Sequence, residues 1–128
     1  MNTEVSRGIE ELKRQFDAST FTIKEDDQGG AYVVIEDVPL SARFSPQKTW
    51  FGFHVTAQYP YADIYPVFID ARIVRTDGIA FTNPVTGGHT FQGRNAIQVS
   101  RRNGAAPSAS QKATSKILKV IDFLEKLP

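Results

Sequence analysis

The spacing of apolar residues changes twice along this chain, and that change limits the folds that the chain can adopt. Near the start of the sequence, apolar side chains recur at the period of one helix face, at Val5, Ile9, Leu12 and Phe16. The pattern predicts an amphipathic helix over residues 4–17, with Thr3 as its N-cap. Beyond it the spacing becomes that of strands, and near the end it returns to that of a helix. This order predicts an α+β fold.

Segments rich in β-branched and aromatic residues follow the first helix and predict strands. They span residues 20–24, 31–38, 50–57 and 67–74, with 40–44 as an additional short strand. Polar turns join these segments in direct succession, and strands connected in this way form an antiparallel meander. We therefore expect a four-stranded antiparallel meander in the centre of the chain.

Glycine and proline interrupt the sequence after the predicted meander. Residues 76–95 contain three pairs with glycine or proline, which predicts a long loop with one brief strand at 79–82. A second loop is expected at 103–110, where Ser108 with Gln111 has the pattern of a capping box for the last helix. The inward residues of that helix are expected to be Ala113, Ile117, Val120, Ile121 and Leu124, and the outward ones Lys112, Lys116, Lys119 and Lys126.

The length and composition are those of one ordinary globular domain, covering residues 1–128. No apolar run reaches the roughly 18 residues of a membrane span, and the N-terminus lacks the apolar segment of a signal peptide. We therefore expect a cytoplasmic protein that does not bind membranes. The net charge of +1 argues against a dedicated nucleic-acid binder.

The sequence has no cysteine and only two histidines. Disulfide bonds, thiolate metal sites and cysteine nucleophiles are therefore excluded for the chain as written. His54 and His89 are too few and too far apart to predict a metal cluster without strong help from carboxylates. We expect no metal site.

A segment rich in tyrosine and proline, at residues 59–66, separates two of the predicted strands. Proline cannot donate a hydrogen bond to a sheet, so the segment has to leave the sheet and cross its edge. The rings of Tyr59 and Tyr61 can pack against this crossing while their hydroxyls reach backbone groups.

This segment resembles the ubiquitin-conjugating enzyme (E2) superfamily, in which a strand is followed by a tyrosine–proline–aromatic sequence and then by further prolines. Tyr59, Pro60 and Tyr61 match the first of these positions, and Pro66 stands for the later prolines after a short insertion. The N-terminal helix, the meander and a glycine-bearing segment downstream agree with the same family. The resemblance covers nearly the whole chain.

In the E2 family the thioester cysteine lies three residues after a glycine. Counted from Gly93, that position is Ala96, and the aliphatic Ile97 follows it. Residues 115–118 resemble the core of the helix after the family's active site. The family's His-Pro-Asn tripeptide, its downstream tryptophan and the extra C-terminal helices of eukaryotic members are missing. In this respect the chain is similar to the prokaryotic E2-like proteins that accompany a ThiF-type E1-like enzyme, a ubiquitin-like protein and a JAB-type peptidase.

The resemblance implies an E2-like carrier, an acyltransferase that accepts a ubiquitin-like protein from an E1-like enzyme as a thioester and transfers it to an amine. The E1-like enzyme consumes the ATP, so the carrier needs no cofactor. The prokaryotic relatives imply a role in antiviral defence. The chain as written is expected to be inactive, because alanine has no thiol at the nucleophile position.

Ala96 leaves several interpretations open. Either a cysteine of the natural protein has been replaced by alanine, or the chain is a variant that lacks the nucleophile. The second case corresponds to a non-catalytic protein-binding module of the E2-variant or RWD type. A third interpretation is that Ala96 is a small residue in a tight loop, unrelated to a nucleophile. A small secretion chaperone or adaptor is a further alternative, and it predicts a dimer with a large exposed apolar patch.

The resemblance also implies roles for residues near Ala96. Asn95 and Asn83 are candidates for the amide that stabilises the oxyanion during acyl transfer. His89 is a candidate for orienting the active-site loop or supporting proton transfer. His54, in contrast, is expected to be a sheet residue with a satisfied ring nitrogen.

Two sets of charged residues are expected to bind the partner proteins. Arg94, Arg101 and Arg102 are candidates for holding the C-terminal tail of the carrier protein or an acidic partner surface. The polar face of the first helix is expected to bind the E1-like enzyme, through Arg7, Glu10, Lys13 and Arg14.

Overall fold

The computed structural model describes residues 1–102 and 112–128. These residues form two helices, α1 (Thr3–Gln15) and α2 (Ala113–Glu125), and eight strands. The strands are β1 (Phe21–Glu25), β2 (Ala31–Pro39), β3 (Phe44–Ser45), β4 (Lys48–Val55), β5 (Val67–Asp70), β6 (Val74–Arg75), β7 (Val85–Phe91) and β8 (Arg94–Val99). The predicted α+β fold is confirmed, with a helix before and a helix after an antiparallel sheet. Neither helix of this described part is long and apolar enough to cross a membrane.

Six strands form one antiparallel sheet in the order β1-β2-β4-β5-β8-β7. The first four of these strands are neighbours in chain order, as in the predicted meander, apart from the two-residue strand β3. The hairpin of β7 and β8 widens the sheet, because β8 pairs with β5. The predicted short strand at 40–44 forms only at its last residue, in β3, and the predicted strand 67–74 divides into β5 and β6. Strands β3 and β6 pair with each other in a separate two-stranded sheet.

The predicted loop over residues 76–95 is confirmed for 76–84, where no strand forms at 79–82, but it is wrong from residue 85 onward, where the β7–β8 hairpin lies. The sheet accommodates the glycines instead of ending at them. Gly88 has a φ of 81° at a bulge in the middle of β7. Gln92 and Gly93, with φ of 49° and 76°, form the two-residue turn between the strands. The predicted loop at 103–110 and its capping box lie outside the described residues.

Asn2, rather than Thr3, is the N-cap of α1. Its side-chain oxygen accepts a hydrogen bond from the backbone N–H of Val5 at 2.9 Å, and its side-chain amide donates to the carbonyl of Ala57, also at 2.9 Å. The cap therefore also attaches the start of α1 to the chain just after β4. Asparagine is as good an N-cap as threonine or better, so the one-residue difference is small.

Both helices pack against the same face of the six-stranded sheet. The buried residues of the helices and of that sheet face form one core, which includes Val5, Ile9, Leu12, Val33, Ile35, Phe51, Phe53, Ile69, Ile97, Ile117, Val120 and Leu124. We call the opposite side of the sheet the outer face. In the described residues, no helix covers the outer face.

The tyrosine–proline segment of residues 59–66 connects β4 to β5 and contacts both helices. The ring of Tyr59 lies so close to Gly8 of α1 that a Cβ at that position would be 2.6 Å from Tyr59 Cε2. The hydroxyl oxygen of Tyr59 accepts a hydrogen bond from the backbone N–H of Ala113, the first residue of α2, at 2.9 Å. The expectation that a tyrosine hydroxyl reaches backbone groups is thus met at Tyr59.

Lys116 of α2 is buried, whereas the sequence pattern predicts that it points outward. It is 3% exposed, and its Nζ lies 3.0 Å from a carboxylate oxygen of Asp63 in the crossing segment. It also donates a hydrogen bond to the carbonyl of Arg101. A buried ammonium requires such partners, and they are far from Lys116 in sequence, so the periodicity of α2 alone could not show them.

Replacing Tyr59 by phenylalanine should destabilise the protein, because the buried N–H of Ala113 loses its acceptor. We expect a loss of about 1–3 kcal/mol in the free energy of unfolding, measured by urea denaturation. Tyr61→Phe is the matched control, since Tyr61 is 61% exposed, and its stability should equal that of the wild type. Equal stability of the Tyr59 and Tyr61 variants would show that the hydrogen bond makes no net contribution.

Candidate functional site

The outer face of the sheet bears a cluster of aromatic side chains. Its buried members are Val34, Trp50, Phe91 and Ala96, and the half-buried Tyr32 and Phe68 pack against them. An antiparallel sheet that faces water on one side normally has polar residues there. The aromatic composition of this face therefore marks it as a candidate functional surface.

Gly52 provides the space for the centre of this cluster. Phe91 lies at the end of the edge strand β7, and its ring reaches over Gly52 of the central strand β4. A Cβ at Gly52 would lie 2.6 Å from the ring of Phe91. The Phe91 ring in turn packs against Phe68, Tyr32 and Trp50, with centroid distances of 5.1, 6.3 and 6.5 Å.

Arg94 is held rigidly at the border of the cluster. Its guanidinium donates two hydrogen bonds to the carboxylate of Glu36, at 2.6 and 3.0 Å, and stacks on the ring of Trp50 at 5.4 Å. The paired carboxylate raises the pKa of Arg94 further above its ordinary value. A cleft of about 420 Å³ adjoins these side chains and is also lined by Asp70 and Lys48. The cleft thus combines an aromatic wall with fixed charges of both signs.

Ala96 lies in strand β8 rather than in a loop, and it is 1% exposed. Its cross-strand partners are His89 of β7 and Asp70 of β5. The methyl group is packed within the aromatic cluster. The expectation of an active-site loop around position 96 is therefore wrong, because residues 94–99 complete the pairing of β5.

The structure separates the other candidate catalytic residues. Asn95 is exposed and, because side chains alternate along a strand, points away from the face that contains Ala96. Asn83 is exposed in the turn before β7. His89 is the direct cross-strand neighbour of Ala96, and its Nε2 is hydrogen-bonded to the hydroxyl of Thr86 at 3.0 Å. Of these candidates, the structure brings only His89 to the same face as Ala96.

The three arginines expected to hold the carrier protein do not lie together. Arg94 belongs to the outer face, as described above. Arg101 and Arg102 follow the end of β8 and line a different cavity beside α2, together with Lys116, Lys119 and Lys126. This division could not be predicted from the sequence pattern, because all three arginines are close in sequence.

The residues expected to bind the E1-like enzyme lie on the exposed side of α1. Arg7 pairs with Glu4 at 2.6 Å, and Lys13 pairs with Glu10 at 3.6 Å. These pairs are exposed, and exposed pairs of this kind contribute little to stability. The four residues are thus accessible, and their role remains a prediction.

Asp26 and His54 form a hydrogen-bonded pair that the sequence pattern did not suggest, because the two residues lie 28 positions apart. His54 Nε2 lies 2.7 Å from a carboxylate oxygen of Asp26, and the imidazole stacks on Tyr32 at 4.3 Å. The other oxygen of Asp26 accepts hydrogen bonds from the backbone N–H groups of Gln28 and Gly30. The expected satisfied ring nitrogen of His54 is thus confirmed. His54 and these hydrogen bonds lower the pKa of Asp26.

In the part of the chain that the structure describes, no group of three or more His, Asp or Glu side chains is arranged to hold a metal ion. No protein-family model matches the chain, and comparisons with curated proteins and with solved structures also give no match.

Replacing Asp26 by asparagine should destabilise the protein in a manner that depends on pH. Because folding lowers the pKa of Asp26 below its ordinary value of 3.8, the ionised carboxylate stabilises the fold above that pH. This contribution is lost as the pH falls through the lowered pKa. The difference in unfolding free energy between the wild type and Asp26→Asn should therefore be fully present well above pH 3.8 and shrink as the pH falls below that value.

The control for this experiment is Asp27→Asn, which removes the same charge from an exposed neighbour in the same turn. Chemical denaturation at several pH values measures both variants. An Asp26→Asn difference that stays constant with pH would contradict a stabilising role of the ionised carboxylate.

Proposed function

We propose that this protein is a non-catalytic protein-binding module that docks a partner protein on the outer face of its sheet. The observation that supports this function most directly is the position of Ala96. Its side chain is buried in the aromatic cluster of the sheet face that neither α1 nor α2 covers. A buried methyl group at this position favours a packing role within the surface over that of a reactive group.

The side chains of the outer face suit a protein interface. Aromatic residues and arginine are enriched at the centres of such interfaces and contribute most of the binding energy. Tyr32 and Phe68 offer half-buried rings, and Arg94 offers a guanidinium already fixed by Glu36 and Trp50. Because contacts within the protein already hold these side chains in place, ordering them on binding costs little free energy.

A ubiquitin-like protein is the partner that the sequence supports best. The resemblance of residues 59–66 to the E2 superfamily suggests it, because variants of that family bind ubiquitin without conjugating it. An E1-like enzyme is the second partner implied by the resemblance, with the exposed side of α1 as its docking surface. Both partners imply a cytoplasmic location.

An E2-like carrier is the second candidate function, and one observation favours it. His89 and Asp70 flank Ala96 on the two neighbouring strands. A cysteine at position 96 would thus have a histidine beside it, as nucleophilic thiols often have. In this case the thiolate would take the acyl group from the E1 thioester and pass it to an amine. Antiviral conjugation in bacteria is the process that the resemblance implies.

Substitutions on the outer face should weaken binding to a ubiquitin-like protein. We expect Tyr32→Ser and Phe68→Ser each to reduce the affinity by about tenfold, since a central interface aromatic contributes at least 1–2 kcal/mol. The measurement is an NMR titration of the labelled chain with ubiquitin as the probe. Ile79→Ser is the control, because it removes an exposed apolar side chain that is not part of the cluster. Shifts confined to other surfaces would contradict the proposed docking face.

Introducing a thiol separates the two candidate functions. In the binding module, the thiol of Ala96→Cys is packed among Trp50 and Phe91 and should react slowly with a thiol reagent in the folded protein. Asn95→Cys, its exposed neighbour on the same strand, should react at once. With an E1-like enzyme, ATP and the ubiquitin-like protein, Ala96→Cys should give no adduct. A reductant-sensitive adduct on Ala96→Cys would establish the carrier function instead.

A further inference from the structure

A second cavity, on the helix side of the molecule, has the lining of an anion site. Its volume is about 430 Å³, and it lies between the residues after β8 and the exposed side of α2. Its basic lining residues are Arg101, Arg102, Lys116, Lys119 and Lys126. Among the lining residues that the structure describes, Asp122 is the only one with an acidic side chain.

Two of these five cations are neutralised within the protein. Lys126 pairs with Asp122 at 3.0 Å, and the buried Lys116 pairs with Asp63 at 3.0 Å. Arg101, Arg102 and Lys119 have no carboxylate partner within residues 1–102 and 112–128. The cavity therefore retains an excess of positive charge that an anionic ligand can neutralise.

The two arginines are positioned by stacking. The Cζ of Arg101 lies 5.0 Å from the ring centroid of Phe123, and that of Arg102 lies 3.9 Å from the ring of Tyr65. Stacking uses the flat face of a guanidinium and leaves its N–H edge available. Lys116 also fixes the backbone here, because it donates to the carbonyl of Arg101. Two guanidinium edges are thus held in place beside one cavity.

The remaining lining is apolar, which restricts the ligand further. Val120, Phe123 and Leu127 form this part of the wall. The carbonyl of Pro128, at the rim, accepts a hydrogen bond from Arg75, which is not among the basic residues of the cavity. A ligand that satisfies the whole lining has an anionic group for the arginines and an apolar body for the wall.

We propose that this cavity binds a carboxylate attached to an apolar group. A planar carboxylate matches the forked edge of a guanidinium in a bidentate pair. The volume corresponds to a small ligand or to the last residues of a peptide. The chemistry is shared by two sources, the C-terminus of an apolar peptide and a free aliphatic acid. The cavity lies on the opposite side of the sheet from the outer face, so this site does not depend on the proposed docking of a protein there.

The proposal is tested by NMR titration of the labelled chain at low salt with three probes. These are N-acetyl-Leu-Phe with a free carboxylate, the same dipeptide as its amide, and octanoate. We expect the acid to shift the amide signals of Lys119 and Phe123 and to bind at least about tenfold more tightly than the amide, because the amide cannot form the charged pair. If octanoate binds as tightly as the dipeptide acid, the ligand of this cavity is a free aliphatic acid. If octanoate binds more weakly than the dipeptide acid, the ligand is the C-terminus of a peptide.

Variants locate the site. Arg101→Gln and Arg102→Gln should each weaken binding of the dipeptide acid by about tenfold. Both residues are exposed, so neither variant should unfold the protein, and thermal denaturation checks this. Arg72→Gln is the control, because it removes the same charge from an exposed arginine outside the cavity. Equal binding of acid and amide, no binding of any probe, or wild-type affinity in both variants would overturn the proposal.

Discussion

Tyr59 connects the two helices with the segment that crosses from β4 to β5. Its ring occupies the space left by Gly8 in α1, and its hydroxyl accepts the first free N–H of α2. The residue itself belongs to the segment that crosses from β4 to β5. One side chain thus sets the distance between the helices and fixes both of them to the same face of the sheet. The ion pair of Lys116 with Asp63, on the same crossing segment, holds α2 at a second point.

Placing both helices on one face determines what the other face can do. The outer face needs no side chains to hold helices, so its residues are free to form a surface for another molecule. Gly52 and Phe91 illustrate this, because the absent side chain of one makes room for the ring of the other. The result is an aromatic surface bordered by the guanidinium of Arg94, which pairs with Glu36. The two candidate sites therefore lie on opposite sides of the sheet.

The sequence predicts those features that depend on local periodicity. The apolar stripe of Val5, Ile9 and Leu12 predicts α1, and the β-branched run of 31–38 predicts the central part of the sheet. The error at residues 76–95 has a physical cause. Glycine tolerates positive φ and therefore suits a bulge or a tight turn as well as a loop. Residues 85–99 form a hairpin here because β8 pairs with β5, which lies earlier in the chain and is not visible in the local pattern.

The candidate sites were harder to predict, because their residues come together only in three dimensions. Nothing in the spacing of Arg94, Arg101 and Arg102 separates the arginine on the outer face from the two beside α2. The pairing of His54 with Asp26 likewise depends on the register of β2 with β4. The sequence pattern identifies these charged residues as candidates, but only the register of the strands shows which of them are neighbours.

The bulge at Gly88 has a consequence for the association of the protein with itself. Strand β7 is an edge of the sheet, and an exposed edge can pair with the edge of another copy and start aggregation. The bulge interrupts the regular row of backbone donors and acceptors along that edge. Gly88, whose positive φ permits the bulge within β7, thus also limits the growth of the sheet into a larger, intermolecular one.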